Sequence, residues 1–140
     1  MIFAKKVEKV DSEREVHILE VDRRSLEFGR VIIDNQVVNI RGLKDGDVFE
    51  ALGRYWRVKQ KEEKVLHFKL DDSETAFKLG FAIGNFHIRV MLVNDEVYIP
   101  ADMQNLEEEL KDFRPEVKEI KFTPNLEIPI RVKMVEFTNY

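Results

Sequence analysis

The chain has 140 residues, 44% hydrophobic and 36% charged, which suits one compact domain or two small ones and excludes a disordered polymer. Its net charge is −4 with no basic block, so a nucleic-acid partner has no electrostatic footprint. Zero cysteines remove disulfides, thiolate metal sites and cysteine nucleophiles together.

The start MIFAKKVEKVDSE is charged at once, which predicts no signal peptide. Apolar runs fall far short of the roughly 20 residues that cross a bilayer, so neither a membrane span nor a membrane partner is expected, and the expected location is cytoplasmic. The first sixty residues read as short strands. RVIIDNQVVNI, residues 30–40, is two β-branched runs around Asp34-Asn35, a pair that tolerates hairpin geometry. Asp45-Gly46 marks a second turn, and GRYWRVKQ alternates from Gly53 through Tyr55, Trp56 and Val58. No helical periodicity stands out in this half, and turns every ten residues or so predict a small sandwich or barrel.

From residue 64 the pattern changes. KVLHFKL (64–70) is a strand containing His67. DDSETAFKLGFAIGN is a helix, capped by Asp72 or Ser73, with Glu74 at the positive end of its dipole. Gly84 and Asn85 suit a left-handed C-terminal cap. Ala76 to Ile83 is apolar apart from Lys78, so this helix is expected to be largely covered, with Gly80 permitting close approach. A hairpin turning at Asn94-Asp95 follows. ADMQNLEEELKDF is an amphipathic helix with Met103, Leu106, Leu110 and Phe113 on one face, Asp102 as cap and Pro115 beyond its end. EVKEIKF (116–122) is a last strand.

The order over 64–122 is β-α-β-β-α-β, that of a ferredoxin-like split βαβ unit. The expected class is therefore α+β: a small N-terminal β-sandwich over 1–62, a ferredoxin-like domain over 63–124, and a C-terminal extension over 125–140. In that extension Ile130, Val132 and Met134 alternate with Arg131, Lys133 and Val135, so it either adds a strand or crosses to a partner chain.

Enzyme signatures are missing. Ser12, Ser25 and Ser73 lack a G-x-S-x-G elbow, and neither a phosphate loop nor a dinucleotide fingerprint occurs. Asp71-Asp72 and Glu107-Glu108-Glu109 are explained by a helix cap and a solvated helix face. His17 and His67 sit inside strand-like runs. His87 differs, because it stands just past a helix end where the chain reverses. An imidazole there suits nickel, copper or zinc. One imidazole binds weakly, but a two-fold dimer brings two copies of His87 to its axis.

GFAIGNFHIRVML, with EVYIPADMQNLEEELKDF after it, resembles the metal-binding domain of the urease accessory protein UreE family, whose fingerprint is G-N-R-H before an apolar strand. Here that fingerprint stands as Gly84-Asn85-Phe86-His87. The stretch around Asp45-Gly46-Asp47-Val48-Phe49 resembles a turn in the family's strand-rich N-terminal domain. The resemblance covers roughly residues 1–124. It implies a homodimeric nickel metallochaperone, not an enzyme, which delivers nickel to the urease apoprotein with its accessory GTPase complex. His87 and its symmetry mate would share one nickel ion (copper or zinc being the alternatives) at the dimer interface. Gly84 and Asn85 would shape the junction, and Phe77 and Phe81 would pack the dimer. Phe86 stands where the family has arginine, and no histidine follows position 87, so the implied site is minimal: two imidazoles plus water or carboxylate. A metal-independent interaction module of the same fold is the alternative reading.

Overall fold

A computed structural model describes residues 1–11 and 13–126. The expected strand over 130–135 lies outside the described residues. The protein is α+β and divides into two compact units, one of residues Met1–Glu62 and one that begins at Glu63.

The first unit holds β1 (Ile2–Phe3), β2 (Lys5–Val7), β3 (Val16–Val21), α1 (Arg23–Phe28), β4 (Arg30–Ile33), β5 (Gln36–Asn39), β6 (Val48–Ala51) and β7 (Arg54–Gln60). Two sheets form, in the orders β1-β5-β4 and β2-β6-β7-β3. The β4–β5 hairpin turns at Asp34 and Asn35, whose φ values are 50° and 64°. Positive φ at both central positions matches the right-handed twist of the strands, and Asn and Asp bear it better than branched residues. Val21, Ile33, Val38, Ile40, Phe49, Trp56 and Val58 draw from both sheets into one core. The indole N–H of Trp56 donates to Ala51 O at 3.1 Å, so the buried ring leaves no orphan donor.

One element departs from expectation. Helix α1 occupies Arg23–Phe28, in the half where no helix was expected. It is a single capped segment too short for periodicity to show. Its signals are the caps: Asp22 accepts from Ser25 N–H, and Gly29 takes φ 84° just past the end.

The second unit holds β8 (Glu63–Lys69), α2 (Ser73–Asn85), β9 (Met91–Val93), β10 (Glu96–Pro100), α3 (Leu106–Glu109), a 3₁₀ turn at Lys111–Phe113 and β11 (Glu116–Ile120). One four-stranded sheet results, in the order β11-β8-β10-β9, with every neighbouring pair antiparallel. Leu66, Phe68, Val97 and Ile99 on one sheet face meet Leu79 and Ile83 of α2 and Leu106 and Leu110 of α3. Burying each such side chain contributes roughly 1.5–3 kcal/mol.

The second amphipathic segment forms far less helix than its periodicity predicts. Asn105 is left-handed at φ 64° and starts α3, so Asp102 is not its cap residue. Leu106 and Leu110 are buried, but Met103 is 42% exposed. One turn suffices to seat the two leucines four residues apart, and nothing recruits Met103 to lengthen it. No helix of the described residues is long and apolar enough to cross a membrane.

Candidate metal centre

The route to His87 begins at the other end of α2. Asp72 is extended and caps the helix: its carboxylate accepts from Thr75 N–H at 2.7 Å and from the Thr75 hydroxyl at 2.9 Å. Those bonds hold the Asp72 carboxyl below its ordinary value. The helix then runs thirteen residues, through Gly84 and Asn85. Neither of these is the left-handed residue that the sequence suggests. Phe86 closes the helix in right-handed geometry, donating its N–H to Ile83 O at 3.0 Å, and His87 itself takes φ 55°. His87 N–H donates to Gly84 O at 3.1 Å. Histidine is among the non-glycine residues enriched in this region, so the reversal falls on it without needing glycine.

The local consequence is a fixed Cα with a free side chain. Phe86 and Ile88, on either side, pack against the core of the second unit, while His87 is exposed. Phe86, the departure from the family fingerprint, is thus an anchor for the turn.

Helix α2 is covered on one side only. Leu79 and Ile83 are buried, whereas Phe77 is 74% and Phe81 66% exposed. The expectation of a largely covered helix therefore fails within one chain. Gly80 does not mediate close approach either, since a Cβ built on it would meet nothing within 4 Å. Phe77, Gly80, Phe81 and Gly84 follow helical spacing and form one outward stripe that leads to His87.

The other histidines have structural settings. His17 lies on β3 with its ring 5.2 Å from that of Trp56. His67 lies on β8, only 6% exposed, between Glu96 and Glu116 on the two flanking strands. Among the described residues, no three of His, Asp and Glu gather where they could hold a metal ion. His87 is therefore one donor, not a site. Comparison of the chain with models of known families and with curated proteins gives no match.

Proposed function

We propose that this protein is a cytoplasmic, homodimeric nickel metallochaperone, in which His87 of each copy reaches the same ion and the cargo passes to a urease apoprotein with its accessory GTPase complex. The observation that carries this reading is the position of His87: exposed, on a backbone fixed by Gly84 and Phe86, at the end of an uncovered stripe with two exposed phenylalanines. Two large aromatic rings in water beside small residues suit a surface that a second copy covers. A two-fold axis near that stripe brings two imidazoles together, and a single imidazole holds a divalent ion poorly.

The folds give background support. The order β11-β8-β10-β9, with α2 after the first strand and α3 after the third, suits a ferredoxin-like βαββαβ unit. Two sheets sharing one core suit a small β-sandwich in the first unit, the part for which the family resemblance implies protein partners. An incomplete, accessible site also suits a carrier that must release its ion. The metal does no chemistry on this reading; it is cargo.

The test is calorimetry with nickel on the wild type and on His87→Asn, which tolerates the left-handed turn but removes the imidazole. One ion per two chains, lost in the variant, is the expected result. Equal binding by both proteins would refute it. No binding by either, with a dimer that survives chelation, would leave the metal-independent interaction module as the reading.

A further inference from the structure

One buried atom of the second unit lacks a partner, and its residue borders a charged cavity. His67 and Glu116 stand directly opposite each other on β8 and β11. The Nε2 atom of His67 lies 3.2 Å from Oε1 of Glu96, and a carboxylate only accepts, so Nε2 carries the hydrogen of the neutral ring. Nδ1 then keeps a lone pair. It is buried without a hydrogen-bond partner, and the Glu116 carboxylate beside it is another acceptor, with Oε2 at 3.7 Å. Two neighbouring acceptors beyond bonding distance both call for a donor.

Both residues line a cavity of about 350 Å³, where the end of β8 meets the start of α2 and the 3₁₀ turn. Among the described residues, Asp71, Asp72 and Asp112 add carboxylates to its lining, and Lys69 and Arg114 are its cations. Four carboxylates against two cations leave a surplus of two negative charges. Lys69 leans to Asp95, at 3.9 Å and outside the lining, and Lys118 comes no closer to Glu116 than 3.9 Å, so neither cation answers that surplus. A metal ion is a poor match, because no three of His, Asp and Glu gather to hold one among the described residues. The chemistry that fits is a cation bearing several N–H donors.

We propose that this cavity binds a small organic ammonium ligand, which donates one N–H to Nδ1 of His67 and another to the Glu116 carboxylate. A nitrogen about 2.8 Å from both atoms bridges their 3.7 Å separation at an angle of roughly 80°, so it sits beside the line that joins them. Glu116 is the side of the cavity that gives way to admit it, since its side chain is 71% exposed and that of His67 only 8%. Each partner gains what it lacks: Nδ1 a donor, and the carboxylates a positive charge. The surplus of two negative charges makes a short diamine the best match. The assignment does not depend on the metal reading at His87.

Nitrogen NMR of the full chain at about pH 8, where alkyl amines are charged, tests this with 1,4-diaminobutane as the probe. The Nδ1 resonance of His67 should move saturably, and sodium chloride of equal ionic strength should not reproduce the shift. Glu116→Gln, which removes a charge at an exposed position, should weaken the binding about tenfold or more. Glu107→Gln/Glu109→Gln removes two charges from exposed positions of α3 outside the cavity and should change it by less than about twofold. A wild-type His67 ring with hydrogens on both nitrogens would overturn the proposal, because Nδ1 would then have a donor of its own for Glu116. So would the absence of a saturable shift, an equal response in the Glu116 variant, or an equal loss in the α3 variant.

Discussion

The Nε2 atom of His67 on β8 lies 3.2 Å from Oε1 of Glu96 on β10, inside an environment that leaves the imidazole almost no contact with water. On its other side Nδ1 has no hydrogen-bond partner, with the Glu116 carboxylate of β11 at 3.7 Å. The Tyr98 ring packs on the imidazole with centroids 4.7 Å apart. Glu96 is thus the polar partner that makes this burial tolerable.

It follows that the two flanking carboxylates are not equivalent. Glu96→Ala strands a buried imidazole and should cost about 1–3 kcal/mol in urea unfolding. Glu116→Gln touches a largely exposed side chain beyond bonding distance and should change stability by less than about 0.5 kcal/mol. Equal losses in the two variants would contradict this division.

Tyr98 should ionise above the ordinary phenol value. Desolvation, with the Glu96 carboxylate beside it, raises its phenol above the ordinary value of 10.0. Its folded value is raised, so the associated stability is present below pH 10 and is lost as pH climbs through the folded value. Absorbance titration of the wild type and of Tyr98→Phe checks this: the component missing from the variant should have its midpoint above pH 10, and a missing component at or below that value would contradict it.

Acid should loosen the start of α2 through Asp72. Its folded value is lowered by the bonds from Thr75, so the stabilisation is present above the ordinary carboxyl value of 3.8 and is lost as pH falls through the folded one. Circular dichroism of the wild type should show helix loss in that acid range. Asp72→Asn, which can cap without charge, should flatten the response.

The left-handed turn at position 87 sets a backbone preference separable from metal binding. His87→Gly should leave the protein as stable or up to about 1 kcal/mol more stable, since glycine adopts this conformation freely. His87→Val should cost about 1 kcal/mol or more, because a β-branched residue resists positive φ. Denaturant midpoints without metal measure both.

The exposed phenylalanines give the sharpest test of self-association. Phe77→Ser/Phe81→Ser should change the stability of an isolated chain by no more than about 0.5 kcal/mol. If each ring is buried on dimerisation at roughly 2 kcal/mol, the dissociation constant should rise at least about tenfold. Sedimentation velocity reads this, and an unchanged constant would remove the stripe from the interface.

The elements legible in the sequence were those with local causes. Asp34-Asn35 and Asn94-Asp95 made their hairpins because Asp34, Asn35 and Asn94 are short polar residues that tolerate the positive φ they adopt there. Asp72 began α2 because its carboxylate satisfies amides that the helix leaves open. The strands over 63–69 and 116–120 followed from apolar and β-branched runs. Helix α1 was missed because six residues are too few for periodicity to show; only Asp22 and Gly29 mark it.

The sequence by itself determined that α2 ends near residue 85 and that a lone histidine follows. Tertiary structure decided the rest. It placed positive φ on His87, because Phe86 and Ile88 are both drawn into the core and the reversal must fall between them. It left Phe77 and Phe81 outside, because the sheet covers only the face that carries Leu79 and Ile83. It buried His67, because a central strand is covered by neighbours on both sides, whatever its residues prefer. Local chemistry chooses turns and caps; which apolar face finds a partner depends on where distant strands meet.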